Sequence, residues 1–195
     1  MAKTESTFTN MVATMVIIMV LAGLSLAGVV NLTADAIAKS EKEKMESALK
    51  EVLPPFDNDI AATRKEVKVN EKDKLVLYFA KKGGEDVGVA IETFTNKGFS
   101  GNFRIMVGFR PDGTIINTSV LEHHETPGLG DKMDVKKSKF PNQFKDKSPA
   151  DFKLQVKKDG GSVDAITAAT ISSRAFCDAV QRAYDEFVKQ GGKQQ

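Results

Sequence analysis

Residues 164–174 set the hydroxyls of Thr167, Thr170, Ser172 and Ser173 between one acid, Asp164, and one base, Arg174. Directly after them, Phe176, Ala179, Val180, Ala183, Phe187 and Val188 recur at three- and four-residue steps, with Asp178, Gln181, Arg182, Asp185 and Glu186 between. That spacing predicts an amphipathic helix. Lys189 suits the negative end of its dipole and Gly191-Gly192 is a stop, so it should end near Gln190. Its start falls among Thr170, Ser172 and Ser173. Two chemistries fit there. A hydroxyl can cap one of the unpaired first-turn amides, or the same amides and the positive end of the dipole can hold an anion such as a phosphate.

A second polar stretch runs over residues 122–132, Glu-His-His-Glu-Thr-Pro-Gly-Leu-Gly-Asp-Lys. Thr126-Pro127-Gly128-Leu129-Gly130 is a loop by composition. Pro prevents strand pairing, and two Gly allow close backbone approach to a flat ligand or another chain. An ordinary connecting loop has the same composition. His123 and His124 are adjacent and would point to opposite faces of an extended chain, so they are poor joint ligands. One Cys and two His in the whole chain make no zinc or iron–sulfur ligand set. Cys177 lies inside the helical run, where a small buried thiol is expected. No nucleophilic triad or acid/base pair is visible, so no residue is assigned a catalytic role.

These stretches need a scaffold, and the chain supplies it in order. Residues 11–30 carry no ionisable group, the length that spans a bilayer core. The run exceeds a signal-peptide core, so a retained anchor is expected. Gly23, Ala27 and Gly28 offer a small-residue surface to another transmembrane helix. Lys3 precedes the anchor, while Lys39, Lys42 and Lys44 follow it among Glu41, Glu43 and Glu46; counting bases alone weakly places the C-terminal side in the cytoplasm. Ile37, Met45, Ala48, Leu49 and Val52 continue helical spacing until Pro54-Pro55. Residues 57–70 show no period and read as a connection.

Strands follow at residues 75–80, 87–94, 103–109 and 114–121, joined by Gly-containing turns, among them Arg110-Pro111-Asp112-Gly113. Residues 136–147 hold five lysines and one acid and read as solvated surface. The expected fold is α+β: a single N-terminal transmembrane helix with a stalk, then an antiparallel sheet packed by helices. The expected divisions are 1–32 for the N-terminal segment and anchor, 33–55 for a helical stalk and 56–195 for the folded domain. A net charge of +2 gives no basic field for nucleic acid.

The two polar stretches together, HxETPGLGxK and Dxx(S/T)xAT, lie about forty residues apart behind one anchor. The pair resembles the FMN-binding domain of the G component of the Rnf ion-translocating electron-transport complex, a domain shared with the C component of the sodium-pumping NADH:quinone reductase. The likeness spans the whole chain, and its short length looks more like the Rnf component. The resemblance implies FMN joined by a phosphodiester to the last Thr of the second motif, here Thr170, attached by a dedicated flavin transferase. Asp164, Thr167 and Ala169 match the rest of that motif. Glu125, Thr126, Gly128, Leu129 and Lys132 match the first, which in the family lies against the flavin. The family has Gly where this chain has Ala168. If φ there is positive, Ala is strained; if the segment has already entered the helix, Ala is comfortable. Arg174, a turn beyond Thr170, is a possible charge-assisted donor to the phosphate.

The resemblance further implies an electron-transfer subunit rather than an enzyme alone, relaying electrons between ferredoxin and NAD in an ion-pumping complex. Its partners would be the other membrane subunits and membrane lipid. The folded domain would lie on the outer, periplasmic side of the inner membrane, against the weak base count. Two alternatives stand beside this: the equivalent subunit of the NADH:quinone reductase, and a cofactor-free anchored adaptor whose Ser/Thr cluster is a helix cap.

Overall fold

The computed structural model describes residues 7–70 and 73–191. Lys3 and Gly192, used above for orientation and for the helix stop, lie outside the described residues. The chain divides into two compact units, Met1–Lys44 and Met45–Gln195. The helix α1 runs Phe8–Val52. Within the first unit all its described residues are exposed. Met15, Ile17, Leu21, Leu24 and Val29 are among them, and this helix is long and apolar enough to cross a membrane.

In the second unit, β1 (Lys65–Lys68), β2 (Lys74–Lys82), β3 (Glu85–Gly98), β4 (Gly101–Phe109) and β5 (Ile115–Glu122) form one sheet in the order β1-β2-β3-β4-β5. Every neighbouring pair is antiparallel. The helix α2 spans Thr170–Lys189. Because side chains alternate along a strand, the sheet can bury both faces. Leu75, Leu77, Ile91, Ile105, Val107 and Phe109 face a core shared with Phe176, Val180, Ala183 and Phe187 of α2. Thr93 and Thr95 of β3 fix the helix further, their hydroxyls donating to the Ala179 carbonyl at 3.1 Å and to Asp178 Oδ2 at 2.9 Å.

On the opposite face, Val76, Tyr78, Ala80, Ala90 and Met106 pack with Ala48, Leu49, Val52 and Leu53. The last turns of α1 are therefore a wall of this core. A Cβ on Gly108 would overlap the Val52 carbonyl, so only Gly lets the end of α1 come this close to β4.

Two expectations need correction. Residues 57–70 are not merely a connection: Lys65–Lys68 pairs with β2 from Lys65↔Leu77 to Lys68↔Lys74. This edge strand has one apolar residue, Val67, and is held by backbone pairing and the Lys74–Glu66 ion pair at 2.8 Å, so it leaves no hydrophobic period to read. Residues 136–147 are not merely solvated surface. Phe140, Pro141 and Phe144 are buried there. The Phe140 and Phe144 rings meet the Phe176 ring at centroid distances of 5.3 and 5.1 Å. The lysines point outward while two phenylalanines four residues apart point in, and a charge count conceals them.

Candidate functional site

Three segments with no secondary structure in common converge at the start of α2. The β3–β4 turn contributes Phe99, the loop after β5 contributes Glu125, Thr126, Leu129 and Gly130, and residues 168–172 contribute the rest of the wall. Between them lies a cleft of about 290 Å³. Its rim is apolar and exposed: Phe99 is 66%, Leu129 40% and Ile171 48% accessible. These are three of the five large apolar side chains exposed in the described part of the second unit, the others being Val69 and Val135. Such a concentration marks a binding surface rather than scattered surface residues.

Glu125 is the buried polar centre of the wall, 4% accessible. Ser172 Oγ donates to its Oε2 at 2.7 Å, and the Ser100 amide donates to its Oε1 at 3.1 Å. Its own amide donates to His123 Nδ1 at 3.2 Å. A Cβ on Gly130 would stand 2.5 Å from Glu125 Oε2 and 2.6 Å from Ser172 Oγ, so the second Gly of the loop is there for close approach. One carboxylate thus ties together the β3–β4 turn, the Gly-rich loop and the first turn of α2.

The helix start corrects the hydroxyl-cap reading. The N-cap residue is Ala169, and no side chain caps the helix. The first backbone bond back along the helix is Ser173 N–H to the Ala169 carbonyl at 3.0 Å. Amides of Thr170, Ile171 and Ser172 precede it and have no intrahelical acceptor. The serines are occupied elsewhere: Ser172 holds Glu125, and Ser173 donates to the Ala169 carbonyl at 3.0 Å while accepting from the Ile166 amide at 2.9 Å. Ala168, at φ 61°, is in the left-handed region, so the strained alternative is the observed one.

Of the residues singled out by sequence, the fold brings Glu125, Thr126, Leu129, Ala169 and Thr170 to the cleft. Asp164, Thr167, Gly128, Lys132 and Arg174 are not in its wall. Asp164 is exposed and paired with Lys157 at 2.8 Å, and its backbone is held from both sides by the Gln143 amide at 2.8 and 3.1 Å. Thr167 is exposed at the turn, and Gly128 is exposed with φ 78°. The Lys132 carbonyl accepts from Ser138 Oγ at 2.6 Å. Arg174 is turned away and forked onto Asp159 at 2.7 and 2.8 Å, so it is committed to an acid of its own. That pairing holds the Asp159 carboxyl below its ordinary range. Cys177 is buried, and desolvation pushes its thiol up to about 12, far from a reactive thiolate. Among the described residues no group of His, Cys, Asp and Glu could hold a metal ion.

A family model described as FMN-binding domain matches residues 98–185, from the β3–β4 turn through most of α2. Proteins named as the G component of the ion-translocating oxidoreductase complex are similar over half to about four fifths of the chain. The one from Vibrio atlanticus is 37% identical over 170 residues, covering 83% of this chain and 81% of that protein. The one from Yersinia pestis is 40% identical over 167 residues, covering 81% and 80%. The Erwinia tasmaniensis protein is 48% identical over 109 residues, 54% of this chain and 52% of its own. This chain belongs to the family of that G component.

An uncapped helix end with free amides suits the phosphate of FMN, and an open apolar rim suits the edge of a flavin ring. At about 290 Å³ the cleft is at the small end of ligand sites. A flavin there would be only partly enclosed. Two residues of the cleft escaped sequence reading. Phe99 lies in a four-residue turn, Gly98-Phe99-Ser100-Gly101, where an aromatic has no structural reason to be, and that was the available signal. Ile171 stands outside the apolar repeat that begins at Phe176, and nothing local marks it as facing outward.

Proposed function

We propose that this protein is a membrane-anchored flavoprotein of an ion-translocating oxidoreductase complex, relaying electrons through FMN carried covalently on Thr170. One observation carries the reading: Thr170 and the loop holding Glu125, Thr126 and Leu129 line the same cleft, at a helix end that no side chain caps. FMN supplies the redox chemistry, accepting and passing on one or two electrons. This chain's residues do the holding. The Thr170 hydroxyl provides the oxygen of a phosphodiester, and the amides of the first turn of α2 face its charge. Phe99, Leu129 and Ile171 would border the ring, leaving an edge accessible to a partner. Glu125 and Ser172 keep the loop and helix in register. Arg174 is left out of the assignment because Asp159 already takes its guanidinium.

Forming the diester from free FMN by loss of water is unfavourable, so the donor would be an activated flavin such as a flavin dinucleotide. Thr170 Oγ would displace a nucleoside monophosphate from its pyrophosphate and lose its proton, with a dedicated transferase in attendance. The other subunits of the complex are the electron partners, lipid surrounds α1, and the folded unit lies on the outer, periplasmic face of the inner membrane.

The decisive experiment is denaturing electrophoresis under ultraviolet light on protein from cells that contain a flavin transferase. The wild-type band should fluoresce and Thr170→Ala should be dark. A dark wild-type band would defeat covalent attachment, and a fluorescent Thr170→Ala band would move the site.

A further inference from the structure

Ala168 occupies φ 61°, a conformation in which a Cβ is disfavoured and Gly is the usual residue. It is the third residue of the turn at 166–169, closed by the Ala169 amide donating to the Ile166 carbonyl at 3.0 Å. A positive φ at that position is what a type II turn requires. Nothing within the turn itself favours Ala there.

The compensation comes from the helix that follows. Ser173 is fully buried. Its hydroxyl donates to the Ala169 carbonyl at 3.0 Å and accepts from the Ile166 amide at 2.9 Å. Bonding back four residues is ordinary for a Ser in a helix. Reaching Ile166 as well is not helix bonding: one side chain bridges the first and last residues of the turn, across Ala168. Upstream, the Gln143 amide pins both backbone groups of Asp164. Between these two fastenings the chain has little freedom in how it delivers Thr170 to the cleft.

We propose that Ser173 is a positioning residue for flavin attachment, its hydroxyl locking the 166–169 turn in the left-handed conformation at Ala168 so that Thr170 is presented to the flavin donor. This rests on Thr170 being the attachment site. Ser173 exchanges no atom in the transfer, in which the Thr170 oxygen-to-phosphorus bond forms and the pyrophosphate bond of the donor breaks. It acts only on the turn, and it does not line the cleft. The lock and the residue it restrains should therefore be interchangeable. Where position 168 is Gly, the turn needs no hydroxyl to hold it.

The test compares wild type, Ser173→Ala, Ala168→Gly and the double variant as full chains in detergent. Amide exchange without flavin reads the turn directly. In Ser173→Ala, exchange at Ile166 and Ala169 should rise about tenfold, the population change matching the strain of a left-handed Ala, while the amides of β3 and β4 keep wild-type protection. The double variant should recover protection at Ala169 and not at Ile166. The rate of covalent flavin incorporation, read by in-gel fluorescence with added transferase, should fall about tenfold in Ser173→Ala and return to near wild type in the double variant. Unchanged Ala169 exchange in Ser173→Ala overturns the lock. So does a double variant no faster than Ser173→Ala, or faster exchange throughout β3 and β4, which would mark general destabilisation. Absence of flavin from wild type overturns the Thr170 assignment instead, and the exchange arm still decides whether Ser173 holds the turn.

Discussion

Asp131, itself only 3% accessible, follows directly on the Gly that packs beneath Glu125, and its carboxylate is bonded to Lys137 Nζ at 2.7 Å. That bond holds the carboxyl below its ordinary value of 3.8. A depressed folded value means that ionised Asp131 stabilises the fold above pH 3.8, and the contribution is lost as pH falls below it through the folded value. Lys137→Ala should accordingly lower the melting temperature at pH 7. The gap to wild type should close as acid protonates Asp131; a gap unchanged at pH 3 would show that the lysine acts by packing alone. At this scale the sequence was only partly legible. Thr170, Glu125 and Leu129 could be picked out from their motifs, but the hydroxyls of Ser172 and Ser173 looked like helix caps. Their partners are Glu125, 47 positions earlier, and the Ile166 amide, seven positions earlier. A cap is judged from the next three residues, and neither partner falls in that window.

Elements divide by whether their apolar pattern is complete in themselves. α2 and the strands β2 to β5 each carry a full period and are legible, because each buries a whole face. β1 has only Val67 to bury, and the turn Phe140–Gln143 hides its ring among lysines, so both depend on neighbours for their meaning. Contact between α1 and β4 is set by Gly108, whose missing side chain makes room for the Val52 carbonyl. Gly108→Ala should destabilise the folded unit by about 1–3 kcal/mol, the usual cost of overpacking. The check is thermal unfolding in detergent, and an unaltered midpoint would mean that α1 can lift from the sheet without loss. Ala168 belongs here as well. Its effect is felt through the turn and the helix start that it joins, and no single-residue propensity would have revealed how Ser173 offsets it.

For the whole molecule, the membrane helix was the most legible feature of all, while the side of the membrane was the least. A run of about 20 apolar residues is a strong signal, but a handful of lysines beyond the core is a weak one. The outer-face proposal has a direct measurement. In spheroplasts, protease added outside should degrade the folded unit and release fluorescent fragments; complete protection until lysis would put it in the cytoplasm.

The seat of Val52 against the sheet bears on how such a protein can be inherited or rearranged. Pro54-Pro55 looks like a seam where an anchor could be exchanged for another, yet Ala48, Leu49 and Val52 on its far side are buried with Val76 and Met106. A gene fusion joined at the prolines would deliver a domain missing part of its own interior. The workable seam lies nearer the membrane, between residues 44 and 45, where one compact unit gives way to the next along the chain. Any exchange of the membrane segment has to leave Ala48, Leu49 and Val52 with the domain whose interior they complete.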